Sequence, residues 1–544
     1  MKTKWRPSGL IILGLCLVAF IFAGCQGNNA SKSSSSATSK NGEVKKEEKA
    51  SSKVSKAKIA QWTDFEEADE DEVQAILEGR DEKTKLVDTR PQENFSGWAL
   101  EGAKQGGHLK NAKLFSARWL DCDLQNPEVE REAYLKRAIE TQNLSKDQSL
   151  IFYDYTGETV PQVAGYFKDK GYEQIKIFRA NKLIDEGDNV QAYANHKMFL
   201  PPEIVKEISD VKKGLRIALS PEAQEITGGN IEDVILVDVG WGNVHESSYF
   251  KTGHVPGAMH MNSDLYERPR VYVPEKRSAY AKEWRLISLE EFRDEVCTQY
   301  GITQNSKVIL TGTEGPPQAR LGFMLRSLGV EVYAMTGNLI AWQYNDYPLD
   351  TDEDSLVEPK PVASFGSASI AKPDEIIWTE EMKQILHGEK PGQIVDNRRK
   401  AEREGKSTGY PYHDLAGYIE GTLWAPYDDE KEGLHFEHVD QTPRTREEIE
   451  SIFAKHDIEP NLLTAFFCGD SWAAARIAYI CQANDLTQVK QWGRGWIPWS
   501  NTGETFTDHK GRKIHYDKHR DTLLDENGKD VSDGVNQLAD KDEK

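Results

Sequence analysis

The residues with the most chemical content lie together in Ala465 to Arg476, read as AFFCGDSWAAAR. An apolar, strand-like run stops at Cys468. A loop of small residues follows, and Ala473, Ala474, Ile477, Ala478 and Ile480 then recur at helical spacing. A thiol at such a strand-to-helix turn faces backbone N–H groups and the positive end of a helix dipole, and both favour thiolate over thiol. Thiolate is the nucleophilic form, so covalent chemistry is expected at Cys468, with Gly469, Asp470, Ser471, Trp472 and Ala473 around the substrate. A Cys-x5-Arg phosphatase needs Arg at position 474. That residue is Ala474, which argues against phosphatase and arsenate-reductase chemistry.

The elements that hold this loop recur along the chain. A β-branched run ending in Asp, then a Gly-containing turn, appears three times: Leu86–Arg90 with Gly107–Ala112, Leu236–Val239 with Gly253–Ala258, and Ile394–Arg398 with Gly417–Thr422. Each is followed by an apolar strand, a four-residue loop, a helical pattern and a second apolar strand. The loops are Asp154–Gly157, Gly312–Gly315 and Cys468–Ser471, roughly 155 residues apart. Strands alternating with helices predict parallel α/β units, and ligands of such sheets bind at loops beyond the carboxyl ends of strands. All three loops occupy that place, and the third alone carries a nucleophile. Asp154 puts a carboxylate where the Cys stands, and Gly312 offers nothing to attack with.

The Val-Asp-x-Arg strand end, the Gly253-His-Val-Pro-Gly-Ala258 turn and the strand–loop–helix cysteine together resemble the rhodanese family, over about residues 58 to 505. Gly409-Tyr-Pro-Tyr412, Gly417–Trp424 and the ending Trp492-Gly-Arg-Gly-Trp496-Ile-Pro-Trp499 make the third repeat similar to the catalytic domain of three-domain extracytoplasmic bacterial thiosulfate sulfurtransferases. The resemblance implies an α/β fold of three tandem rhodanese-like domains, each a small doubly wound parallel sheet flanked by helices. It implies transfer of a sulfane sulfur through a persulfide on Cys468, from a small anionic donor to a thiol or cyanide-like acceptor. No metal and no organic cofactor is expected.

An anionic donor calls for cations. Arg398 matches the family's strand-end Arg. Arg399 and Arg403 follow it, and Arg494 sits in the Gly493–Gly495 turn; guanidinium suits bidentate binding of carboxylate or thiosulfonate oxygens. The loop itself has no basic residue. Ser471 stands where a Gly is usual, Ala473 where close relatives often carry Arg, and Asp470 adds a negative charge. The donor therefore stays open between thiosulfate and a mercaptopyruvate-like thiol, and a non-catalytic persulfide relay or partner-binding role remains the alternative. His435 with His438 and His515 with His519 lack the frame of a metal site.

Upstream, Lys2, Lys4 and Arg6 precede an apolar run from Leu10 to Phe22, too short to span a bilayer and suited to a signal sequence. It ends Phe22-Ala-Gly-Cys25, which resembles a bacterial lipobox and implies lipidation of Cys25. The expected layout is a signal at 1–24, lipidated Cys25 and a flexible tether over 25–57, rhodanese-like domains at 58–200, 201–357 and 372–520, and an acidic tail at 521–544. The protein is then anchored by its N-terminal lipid on the extracytoplasmic face of the cell membrane. Net charge is -21, from 68 basic and 89 acidic residues, which argues against nucleic acid as a partner. Four cysteines, Cys122, Cys297, Cys468 and Cys481, in the body after Cys25 are too few for a disulfide scaffold.

Overall fold

The strand runs read from the sequence assemble into three five-stranded sheets in a computed structural model of the chain. It describes residues 60–532 apart from 125, 245–251, 269–284, 353–354, 411–412, 414, 430, 432, 518 and 521. The signal, Cys25 and the tether lie outside the described residues. In the first sheet the strands are β1 (Glu66–Glu67), β2 (Lys85–Asp88), β3 (Lys113–Leu114), β4 (Leu150–Asp154) and β5 (Ile175–Arg179). The second has β6 (Phe199–Leu200), β7 (Val234–Gly240), β8 (Met259–Asn262), β9 (Lys307–Thr311) and β10 (Glu331–Met335). The third has β11 (Ile376–Ile377), β12 (Gln393–Asp396), β13 (Leu423–Trp424), β14 (Thr464–Phe467) and β15 (Val489–Trp492).

Read across, the orders are β1-β5-β4-β2-β3, β6-β10-β9-β7-β8 and β11-β15-β14-β12-β13, and the pairings are parallel. One topology is thus used three times. The central strands β4, β9 and β14 are almost wholly buried, as continuous apolar runs covered by helices on both faces should be. Each central strand leads through its four-residue loop to a helix: α1 (Val160–Asp169), α2 (Gly315–Ser327) and α3 (Trp472–Ala483).

Two expected limits shift. β6 lies within the span assigned to the first domain but pairs with β10 of the second sheet, Phe199 beside Ala334, so the second domain begins before residue 201. The tail expected from 521 is structured in its first part. Thr522–Asp525 (β18) pairs antiparallel with Lys513–Asp517 (β17), which pairs with Phe506–Thr507 (β16). The cause is apolar content: Leu523 and Val531 bury against Ile514, Tyr516, Trp496 and Phe506 of the third domain.

The described residues form a single compact unit, and its three domains are fastened by specific contacts. The second and third share one hydrophobic core, in which Leu321, Phe323 and Leu325 of α2 meet Ile477, Tyr479 and Ile480 of α3. The two helices approach at glycines. A Cβ on Gly322 would lie 3.0 Å from the Tyr479 ring, and one on Gly315 only 2.3 Å from Nε of Arg476. The first domain touches the third through Arg118, whose Nε donates to Asp440 at 2.7 Å, and through Trp119, stacked on His438 with centroids 3.8 Å apart. Trp98 of the first domain donates its indole N–H to the carbonyl of Phe199. Among the described residues no helix is long and apolar enough to cross a membrane.

Candidate active site

Cys468 follows β14 directly and stands at the amino end of α3, 6% exposed. The loop turns sharply because Ser471 adopts a left-handed conformation, φ 69° and ψ 20°, as the residue before the first helical turn. This curl aims the N–H groups of Asp470, Ala473 and Ala474 at the Cys468 sulfur. From behind, the loop is pinned by the chain after β15. Trp496 N–H donates to the Cys468 carbonyl and Ile497 N–H to that of Gly469, both at 2.8 Å. Gly495 makes this approach possible: its φ is +100°, and a Cβ there would sit 2.7 Å from the Gly469 carbonyl oxygen.

The N–H groups of Asp470, Ala473 and Ala474 favour the anion, but the thiol is the resting form. Burial pushes the Cys468 thiol up to about 12, the Asp470 carboxylate pushes the same way, and the three N–H groups offset only part of this. The thiol is 3.7 Å from Oδ1 of Asp470 and donates to it, and the same oxygen accepts from Trp472 N–H at 3.3 Å. Burial raises Asp470 itself, opposed chiefly by Arg320.

The first domain displays the same cradle filled. Asp154, at the end of β4, accepts from Gly157 N–H, and from Thr159 N–H and Oγ1 at 2.7 Å each. A fixed carboxylate thus occupies the place where the third domain has its sulfur. In the second domain Gly312 has φ +146°, and a Cβ would lie 2.7 Å from the Val239 carbonyl oxygen, so a cysteine cannot stand there without moving β7.

The arginines are placed differently from expectation. Arg398 is buried and spent on structure: Nε and Nη2 grip Asp396 at 3.0 and 2.7 Å, and Nη2 also donates to the Gly417 carbonyl. Arg90 of the first domain makes the same grip on Asp88 and the Gly107 carbonyl, which identifies the pair as a strut between strand end and turn. Arg399 is paired with Asp428 at 2.7 Å. Arg403 donates to Thr422 at 2.7 and 3.0 Å and covers the Tyr418 ring. These three are corrections to the reading of them as open donor-binding cations, because a Val-Asp-x-Arg motif reads alike whether the Arg faces a ligand or its own Asp. Arg494 is partly buried and has no hydrogen bond or ion pair to a described residue.

What the sequence reading missed comes from outside the third domain. Trp472 donates its indole N–H to Oε1 of Glu267 at 2.7 Å, and the same oxygen accepts Nε of Arg320, on α2, at 2.6 Å. Both belong to the second domain and are completely buried. The one signal in the sequence was an arginine in the middle of a largely apolar helix, which also carries Gln318 and Arg326. Within the third domain, Tyr410 covers the loop from the opposite side: a Cβ on Gly469 would lie 2.2 Å from its hydroxyl. His413, following Tyr410, is buried against Ser500 at 3.1 Å, and burial pushes it down to about 3. His438 is 3.1 Å from Glu448, and among the described residues no group of three or more His, Cys, Asp or Glu side chains could hold a metal ion.

Comparison with known proteins adds to this geometry. Residues 69–180, within the first domain, match the rhodanese-like domain family model. The chain is 22% identical over 419 residues to the thiosulfate sulfurtransferase YnjE of Escherichia coli (strain K12), covering 77% of this chain and 87% of that protein. Among solved structures it is similar to the anaerobic ergothioneine biosynthesis enzyme from Chlorobium limicola in complex with trimethyl histidine, with a TM-score of 0.66, 24% identity, and coverage of 80% of this chain and 97% of that one. The wild-type structure of EanB is likewise similar, with a TM-score of 0.66, 24% identity and coverage of 82% and 99%. The three-sheet α/β fold of this chain is thus shared with those structures.

Proposed function

We propose that this protein is a sulfurtransferase in which Cys468 carries the transferred sulfur. The observation that carries the reading is the cradle: the backbone N–H groups of Asp470 in the loop and of Ala473 and Ala474 in the first turn of α3 converge on the Cys468 sulfur, in a position where the first domain holds a carboxylate. Such a cradle suits a sulfur anion one atom beyond the cysteine, and donors fixed in advance cost no reorganisation when the charge arrives. The named activity of the Escherichia coli relative and the rhodanese-like match support the same reading.

In the first half-reaction the Cys468 thiol gives its proton to Asp470, 3.7 Å away, and the thiolate attacks the outer sulfur of the donor. The donor's bond to that sulfur breaks. Its electron pair leaves with sulfite if the donor is thiosulfate, or with the pyruvate enolate if it is mercaptopyruvate. In the second, a nucleophilic acceptor attacks the terminal sulfur of the persulfide, the S–S bond breaks, and the Cys468 thiolate returns and recovers its proton. Because three of the candidate arginines are committed to structure, the donor's charge must be met by the loop N–H groups, Arg494 and the second domain. That favours a donor of low charge, a mercaptopyruvate-like thiol, over thiosulfate.

The test is thiocyanate production from cyanide, with thiosulfate and mercaptopyruvate supplied separately, and in parallel with trimethyl histidine replacing cyanide as acceptor. Cys468→Ser is expected to lower the rate by about a thousandfold or more with the competent donor. Equal rates in wild type and variant, or no turnover by folded protein with either donor, would sink the enzyme reading in favour of a persulfide relay or partner-binding role.

We also propose that the chain is held at the extracytoplasmic face of the cell membrane by lipid on Cys25, on the strength of the apolar run and the Phe22–Cys25 ending. In a bacterial host the chain is expected to incorporate a fatty-acyl label and to partition with detergent. Loss of both in Cys25→Ser supports the anchor; a labelled variant rejects it.

A further inference from the structure

A cleft of about 380 Å³ lies between the first and second domains, away from the cysteine loop. One wall is the chain after β2, from Pro91 to Glu101. The other is the helix Pro202–Lys212, the segment that follows it, and Tyr347. Beside it the two domains are pinned by Trp98, whose indole N–H bonds the Phe199 carbonyl and whose ring meets His196 edge-on. Among the described residues, six carboxylates and two cations line the cleft. Three of the carboxylates are neutralised: Glu93 by Arg118 at 3.0 Å, Asp210 by Lys206 at 2.5 Å, and Glu207 by Arg216. Glu101, Glu203 and Glu222 form no ion pair with a described residue, and Glu203 takes the side-chain amide of Asn345 at 2.9 Å.

Asn94 is an independent sign of a ligand. It lines the same cleft and is 1% exposed, and neither Nδ2 nor Oδ1 of its side chain has a hydrogen-bond partner. Burying an amide with both atoms unpaired is costly, so its presence here calls for a partner from outside the chain. The acidic groups do not converge on one point: no three His, Cys, Asp or Glu side chains among the described residues could hold a metal ion. Leu100, Ile204 and Tyr347 add apolar surface to the walls. Separated negative charges on a partly apolar wall suit a cation whose charges are spread along a hydrocarbon chain, and the volume suits a small molecule.

We propose that this cleft binds a small aliphatic molecule carrying two or more amino groups. Glu101, Glu203 and Glu222 take its ammonium groups by charge-assisted hydrogen bonds, Asn94 Oδ1 accepts from one of them, and the methylene chain lies against Leu100, Ile204 and Tyr347. The domain that has lost its nucleophile thereby serves as half of a binding site. The inference goes beyond the reading of Cys468 and does not depend on it.

The experiment is titration calorimetry of the full chain with spermidine, putrescine and L-lysine, which separate a polyamine from a basic amino acid as the source of the amino groups. Saturable binding of at least one is expected. Glu203→Gln, which keeps an oxygen for Asn345, and Glu222→Gln are each expected to weaken it by about tenfold or more. Asn94→Leu is close in volume and replaces an unpaired amide. It is expected to weaken binding similarly while keeping or raising the unfolding midpoint without ligand, whereas an amide of purely structural value would lower that midpoint. Where Asn94→Leu does not fold, the two Glu variants decide. Glu526→Gln, on the exposed turn after β18, is expected to bind as wild type does. Absence of saturable binding by all three amines overturns the proposal. So does equal weakening by Glu526→Gln, or competition by magnesium ion as strong as that by putrescine, since either would mark a general counter-ion effect of an acidic chain.

Discussion

At the scale of single residues, the active loop trades stability for shape. Ser471 holds a left-handed backbone that costs a non-glycine residue about 1 kcal/mol, and its buried hydroxyl has no partner. Ser471→Gly is therefore expected to stabilise the protein by about 0.5 to 1 kcal/mol in denaturant unfolding, net of the backbone freedom that glycine restores to the unfolded chain. A loss of stability would show that the Ser471 side chain contributes packing that outweighs the strain. The same scale separates Cys468 from Cys481. Both thiols are pushed up by burial, but Cys468 has three N–H groups that favour its anion, and Cys481 is completely buried within α3. The reactive cysteine was legible from the sequence because a small-residue loop between an apolar strand and a helix can be recognised locally. Its high resting pKa was not, because burial and the field of a carboxylate depend on what packs above the loop.

At the scale of elements, the contact that matters most for the site is α2 against α3. Gly315 opens α2, and any Cβ there runs into the Arg476 guanidinium, which is buried and bonded to Glu437 at 2.6 and 2.8 Å. Displacing a buried charged pair costs more than the gain in helix propensity returns. Gly315→Ala is expected to destabilise by about 1 to 3 kcal/mol and to lower the cooperativity of thermal unfolding between the second and third domains. An unchanged denaturant midpoint would mean that Arg476 relaxes freely. That the three sheets share one strand order could be anticipated from the threefold repeat, since a pattern that folds once as a parallel α/β unit folds so again; the order itself could not. The end of the second domain's first strand and the antiparallel strands β16–β18 could not, since short pairs such as Phe199–Leu200 carry too few residues for any periodicity.

At the scale of the whole molecule, the chain buries many neutral imidazoles. His108, His196, His254, His413, His435, His438 and His456 are all pushed below the ordinary histidine value, first of all by burial. A histidine depressed on folding leaves the unfolded chain binding more protons once the pH falls below its ordinary value, so the stability these residues contribute is present above about pH 6.5 and is lost as the pH falls toward their folded values. Glu267 and Glu402, both raised to about 7, and His260, also raised, run the opposite way. Glu93, Glu101 and Asp470 are raised by burial as well, and the seven depressed histidines, whose ordinary value lies between about pH 5.5 and 7.5, outweigh these six. The Tm is expected to fall by several degrees between about pH 7.5 and 5.5, measured by calorimetry at constant ionic strength. A flat Tm over that interval would contradict neutral burial of the histidines.

The amino-acid sequence was sufficient for everything that depends on neighbours along the chain: the three repeats, the α/β class, the loop with the nucleophile and the two loops without one. Periodicity and local turn chemistry are short-range properties, and each repeat carries its own copy. Tertiary packing alone settled what surrounds the sulfur. Arg398, Arg399 and Arg403 are paired with groups of their own domain. Arg320, about 150 residues upstream in another domain, is tied to the cysteine loop through Glu267 and the Trp472 indole, where two helices approach closely at glycine. Electrostatics acts through space and depends on burial, so no spacing in the sequence encodes which charge a folded chain will set beside its cysteine.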